Sequence, residues 1–212
     1  MEIAGKLGHI LFPPRCLGCG VLSSKLCIAC ESEWSQKNLI TALPETIVYS
    51  SRHYSNTAQH ILLAAKEHGI EKAKSYICSA INDAISHIPR IETVRALIVP
   101  IPSQKSAIRK RGHNFLADIV ATLGKENRKE TANILIHRRS VLDQSRLPAR
   151  ERFENLAGAL STTRTLGRGE LVILVDDLVT TGATLGEAVK TLEGAGFKVI
   201  CAVTACVALP LR

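Results

Sequence analysis

Residues 171–175 are five apolar residues in a row with no polar alternation, and Asp176 and Asp177 follow directly. Such a run reads as a strand buried on both faces, with the two carboxylates at its carboxyl end. Thr180, Thr181, Gly182, Ala183 and Thr184 form a small-residue turn. Leu185, Ala188, Val189 and Leu192 then recur at helical spacing, and Gly194 and Gly196 offer a stop. Elsewhere, residues 96–102 read as a strand ended by prolines, 132–136 as another and 198–207 as a last one. Residues 46–49 alternate weakly, as an edge strand would. A helix capped from within Ser55-Asn56-Thr57 should run toward Gly69, a second should cover 71–85, and a third should run from Phe115 to about Leu123. Residues 3–12 are apolar enough for a short helix or strand. Residues 31–45 are a polar connector with a short helix around Trp34. Strands alternating with helices predict an α/β fold, a parallel sheet with helices on both faces.

The 212 residues suffice for one ordinary domain and a small module. Hydrophobic residues at 46% and charged residues at 22% describe a globular chain. A formal charge of +8 suits phosphate ligands or nucleic acid without choosing between them. No apolar run reaches about 18 residues, so no membrane insertion is expected. The first residues make a poor signal peptide. A cytoplasmic location follows as an expectation. The aromatic share of 4% weakens a base-stacking role, for which Trp34, Tyr49 and Tyr54 are the candidates.

Four of the seven cysteines change the picture. Cys16 and Cys19 form one Cys-x-x-Cys knuckle and Cys27 and Cys30 another, seven residues apart, with Gly18 and Gly20 permitting tight turns. That spacing can close four thiolates around one tetrahedral Zn2+, leaving no open position, so the metal would be structural. A segment this short cannot bury a core alone, and metal would supply its folding energy. Redox dithiols, disulfides or an iron–sulfur centre are the alternatives. Cys78, Cys201 and Cys206 have apolar neighbours and read as core thiols. The expected division is a zinc ribbon and linker over 1–45 and an α/β domain over 46–212.

The turn after the acidic pair suits a phosphorylated ligand. Gly182 allows positive φ and close backbone approach. Successive N–H groups at a helix N-terminus attract anions, and Thr180, Thr181 and Thr184 add hydroxyls. Asp176 and Asp177 would repel phosphate and should instead meet vicinal sugar hydroxyls or a cation such as Mg2+. Lys105, Arg109, Lys110 and Arg111 crowd a loop after the 96–102 strand, where open α/β sheets bind ligands. They could clamp a diphosphate or form a solvated basic surface. A second basic stretch, with Arg146, Arg150 and Arg152, could close over a ligand or be an ordinary surface helix.

The strand, acidic pair and Thr/Gly turn resemble the phosphoribosyl pyrophosphate (PRPP) motif of type I phosphoribosyltransferases. Three further blocks extend the likeness: the four cysteines, Val99-Pro100-Ile101-Pro102 with Arg111-Gly112-His113-Asn114, and residues 144–152 with Asn155 and Gly158. Together they resemble the competence protein F (ComF) family, phosphoribosyltransferase-like proteins with an amino-terminal zinc ribbon. The resemblance implies that Asp176 and Asp177 hold the ribose hydroxyls and orient the sugar in catalysis. It implies that Thr180, Thr181, Gly182, Ala183 and Thr184 hold the 5′-phosphate, and that Mg2+ accompanies PRPP. Arg109 and Arg111 are the residues expected at the pyrophosphate. It also implies a role in DNA uptake, with single-stranded DNA and the DNA-translocation machinery as partners; a DNA-translocation helicase is the partner expected of a non-catalytic binding module. The family commonly has Gly-Phe-Asn-Gln where this chain has Gly112-His113-Asn114-Phe115. Purine-salvage enzymes often carry Asp where Thr180 stands, and Thr is no base at neutral pH. Two alternatives remain: a non-catalytic phosphate- or DNA-binding module, and a nucleobase salvage enzyme.

Overall fold

The computed structural model describes residues 13–89, 95–139, 151, 155–163 and 167–209. The central sheet has five strands: β1 (Leu39–Ala42), β2 (Ile47–His53), β3 (Leu97–Pro100), β6 (Leu171–Val179) and β7 (Lys198–Val207). Their spatial order is β1-β2-β7-β6-β3, parallel throughout except for β1, which runs antiparallel to β2 at one edge. Residues 172–175 of β6 and 201–207 of β7 are at most 1% exposed, the signature of strands covered on both faces.

The helices are α1 (Ile28–Glu33), α2 (Asn56–Lys66), α3 (Glu71–Ser86), α4 (Lys105–Arg111), α5 (Phe115–Asn127) and α6 (Ala183–Gly194). Of the three cap candidates Ser55 serves: its Oγ accepts from the Ala58 N–H at 3.2 Å. α3 packs on β2 and β7, α5 on β3 and β6, and α6 on β7. Two short strands, β4 (Leu135–His137) and β5 (Leu160–Thr162), form a separate antiparallel ribbon.

Four differences from the sequence reading have physical causes. The 46–49 segment is part of an inner strand: the Leu39–Ala42 segment, read as connector, supplies the edge, with exposed Ile40 on its outer side. The basic 105–111 segment is a short helix rather than a loop. It contains no Gly or Pro, and Gly112 at φ 77° stops it. The 132–136 strand leaves the main sheet and shortens to β4, because β5 pairs with it instead. β6 continues through the acidic pair to Val179, because β7 keeps pairing with it at Asp176, Leu178 and Val179. The arginines at 146, 150 and 152 lie outside the described residues, as do residues 3–12.

The cysteine segment joins the main core. Cys16, Leu26, Cys30 and Trp34 are buried within the same apolar cluster as the sheet. Trp34 meets Tyr76 edge-on at 6.5 Å, and the Arg52 guanidinium lies 5.5 Å from the Trp34 ring centre. Arg52 also pairs with Asp83 at 2.7 Å. Trp34 and Tyr49 are therefore packing residues rather than exposed stacking platforms. Of the three aromatic candidates, Tyr54 alone is exposed.

Candidate functional site

β3 stops at Pro100, opposite Val175, after which the Ile101 N–H donates to the Val175 carbonyl at 2.9 Å. Beyond that point no strand among the described residues pairs with β6 on the β3 side. A cleft of about 900 Å³ opens there, lined by Lys66, Lys110, Arg111, His137, Asp176, Asp177, Thr180 and Thr184. This is the carboxyl edge of the sheet, where open α/β folds place ligands.

The acidic pair is asymmetric. Asp177 is buried, and Lys66 at the end of α2 reaches both its carboxylate oxygens, at 3.0 and 2.9 Å. Burial pushes the Asp177 carboxyl up, but the Lys66 ammonium outweighs it and holds the group below its ordinary range. Asp176 Oδ1 accepts the Asp177 N–H at 2.9 Å. Burial first, and then the Asp177 charge, push its carboxyl well up. Burial acts to lower the Lys66 ammonium, but the two carboxylates prevail and raise it.

The turn has the expected shape. Gly182 sits at φ 78°, directly before α6. A Cβ at that position would be strained by the positive φ and would lie 2.6 Å from Leu43 Cδ1, so that half-buried side chain would have to move. Thr181 Oγ1 accepts from the Ala183 N–H at 3.2 Å, turning back into the loop. Thr180 and Thr184 face the cleft. Ala183 is packed beneath Leu156 and Ala159, which ties residues 156–159 to the turn.

The two basic candidates separate. Arg111 lines the cleft, but its Nη2 is held by Glu67 Oε1 at 2.6 Å. Arg109 is exposed and does not line the cleft; Lys110 does. Three contributors escaped the sequence reading: Lys66, Glu67 and His137. Lys66 and Glu67 end a helix read only for its apolar face, and no motif marks them. His137 Nε2–H donates to the Pro102 carbonyl at 2.9 Å, which fixes Nδ1 as the unprotonated nitrogen. That Nδ1 is buried with no partner among the described residues. Burial lowers the His137 pKa against the Pro102 bond, so the ring is neutral.

The four cysteines Cys16, Cys19, Cys27 and Cys30 converge, their Sγ atoms all within 4.8 Å of one another. Tetrahedral zinc thiolates stand about 3.8 Å apart, given Zn–S bonds of about 2.3 Å. Cys19 and Cys27 lie at 3.6 Å. Burial raises the Cys16 thiol, yet backbone N–H groups, including those of Cys27 and Gly18, bring it down to about 6. The donor set and spacing fit a structural zinc site. His60 Nδ1 donates to the Gly18 carbonyl, and Thr57 to Glu33, so α2 braces this cluster at one end and Asp177 at the other.

Residues 107–208 match the phosphoribosyl transferase domain family. The match takes in most of α4, all of α5, β4 and β5, the acidic pair, the turn and β7. Lys66, Glu67 and the four cysteines lie outside it. Among solved structures, adenine phosphoribosyltransferase from Leishmania tarentolae is similar over 80% of this chain and 94% of its own. The identity is 11% and the TM-score 0.40, values that carry no argument about function. No curated protein sequence matches the chain.

Proposed function

We propose that the cleft binds PRPP and that the protein transfers, or descends from proteins that transfer, its phosphoribosyl group. The observation that carries this reading is the convergence of acidic pair, Gly182 turn and cationic wall on one cleft at the carboxyl edge of the sheet. Asp177 and Asp176 would orient the ribose hydroxyls. The backbone N–H groups at the start of α6, with Thr180 and Thr184, would hold the 5′-phosphate. Lys110 and Arg111 stand where the diphosphate would lie, Arg111 once freed from Glu67; Arg109 would act from outside the cleft. Mg2+ bound with the ligand would neutralise the leaving diphosphate.

In transfer, a nucleophile carrying N–H or O–H attacks ribose C1 as the C1–O bond breaks, and the electron pair leaves with pyrophosphate. Thr180 provides no carboxylate to take the acceptor's proton, which would pass to water in the open cleft or to the departing pyrophosphate. The four-block resemblance supports the finer reading: a ComF-type role in DNA uptake, in the cytoplasm, with single-stranded DNA and a translocation helicase as partners. The converging cysteines support Zn2+ in the ribbon.

A pyrophosphate-release screen separates the alternatives. Protein loaded with zinc, PRPP and Mg2+ is offered nucleobases and single-stranded DNA. Release that depends on an acceptor establishes transfer and identifies its class. PRPP binding without release from any acceptor favours the binding module, and a nucleobase turned over rapidly favours salvage.

A further inference from the structure

The acidic pair arrives with a cation already on it. Lys66 Nζ bridges both oxygens of Asp177, at 3.0 and 2.9 Å, and both residues line the cleft. The lysine has little freedom to leave. It is the last residue of α2, whose first turns are fastened to the four-cysteine segment through Thr57 and His60. The next residue, Glu67, is held by Arg111 at 2.6 Å. Two charge pairs on consecutive residues thus pin the end of α2 across the cleft mouth.

This arrangement bears on how a divalent cation enters. Mg2+ on Asp177 would sit about 2.1 Å from a carboxylate oxygen. An ammonium spanning both oxygens would then stand only about 3–4 Å from it, and at that range two cations repel strongly in a partly buried site. We propose that Lys66 is the resident counter-ion of the acidic pair and excludes divalent cations from it, so that metal reaches the cleft only on the ligand's diphosphate. The exclusion rests on the geometry of Lys66 and Asp177 alone; the route through a diphosphate rests on the PRPP reading.

The test is Mn2+ titration of the zinc-loaded full chain without PRPP, followed by the electron paramagnetic resonance of free Mn2+. Wild-type protein should show no site that Asp177→Asn removes. Lys66→Met should gain one, at least about ten-fold tighter than any Mn2+ binding by the wild type, because a unit charge at this range is worth that much even in partly hydrated surroundings. The double variant Lys66→Met/Asp177→Asn should lose it, and Lys66→Arg should behave as wild type. Lys66→Gln, which can still hydrogen-bond the carboxylate, carries the same expectation if Lys66→Met does not fold. An Asp177-dependent Mn2+ site in wild-type protein overturns the proposal. So does a folded Lys66→Met or Lys66→Gln variant with no gain. A parallel titration with PRPP and Mg2+ keeps the two readings apart: if wild-type protein fails to bind PRPP, the functional reading falls while the Mn2+ results still decide the role of Lys66.

Discussion

Replacing either member of the acidic pair by Asn removes an ionisable carboxyl and little volume, yet the two changes should move stability in opposite directions. Asp177 is held below its ordinary value near 3.8 by Lys66, so its ionised form stabilises the fold. Breaking a fully buried pair costs about 3–5 kcal/mol. The Lys66 side chain is 31% exposed, and Asn keeps a carbonyl acceptor, so about 1–2 kcal/mol is expected. For a chain of this length that lowers the melting temperature by roughly 2–8 °C. Asp176 is raised well above the same ordinary value. Its ionisation therefore works against the folded state, and Asp176→Asn should raise the melting temperature at pH 7.5. The signs differ in pH as well. An acid with a depressed folded pKa contributes fully above its unfolded value, so the Asp177→Asn loss should be flat between pH 5 and 7.5. An acid with a raised folded pKa costs stability increasingly as pH climbs from its unfolded to its folded value. The Asp176→Asn gain should thus shrink as pH falls from 7.5 to 5. Thermal unfolding of zinc-loaded protein at both pH values is the assay. Equal destabilisation by the two variants at pH 7.5 would refute the asymmetry.

Further perturbations probe the surroundings of the pair. Gly182→Ala should destabilise by about 1–3 kcal/mol through positive φ and the clash with Leu43. Adding Leu43→Ala should relieve only the steric share, as denaturant unfolding would reveal. Cys30→Ser should abolish zinc retention in metal analysis and lower the melting temperature, because Cys30 and Trp34 are part of the main core; retained stoichiometric zinc would contradict the four-thiolate site.

Much of this was legible in the sequence wherever a local rule governed. Helix α2 begins at the Ser55 cap, α3 spans almost the range its apolar spacing marks, and β7 has the bounds of its apolar run. The Gly182 turn followed from chemistry that only a few residues can supply, and the four cysteines from spacing alone. What escaped depended on partners distant in the chain. β1 is a strand because β2 offers it an edge, and four residues of mixed polarity do not announce that. β6 outruns its apolar segment because β7 continues beside it. Lys66 matters because α2 ends against Asp177, 111 residues later, and a lysine at a helix end usually faces water. His137 took its place only once β4 and β5 had paired and Pro102 lay above it. The division expected at residue 45 falls inside the turn between β1 and β2, where Leu43 and Glu45 press on Gly182 and Gly186.

The central claim is that the cleft holds PRPP by its phosphate cradle, and calorimetric titration of PRPP with Mg2+ tests it most directly. Zinc-loaded wild-type protein is compared with Thr184→Asp. A carboxylate in the first turn of α6 favours the helix dipole, so the variant should fold at least as stably as the parent. Its charge would nevertheless stand where the 5′-phosphate binds. The account predicts saturable binding to the wild-type protein that Thr184→Asp abolishes without loss of melting temperature. Equal binding by both proteins, or none by the wild type, would contradict it.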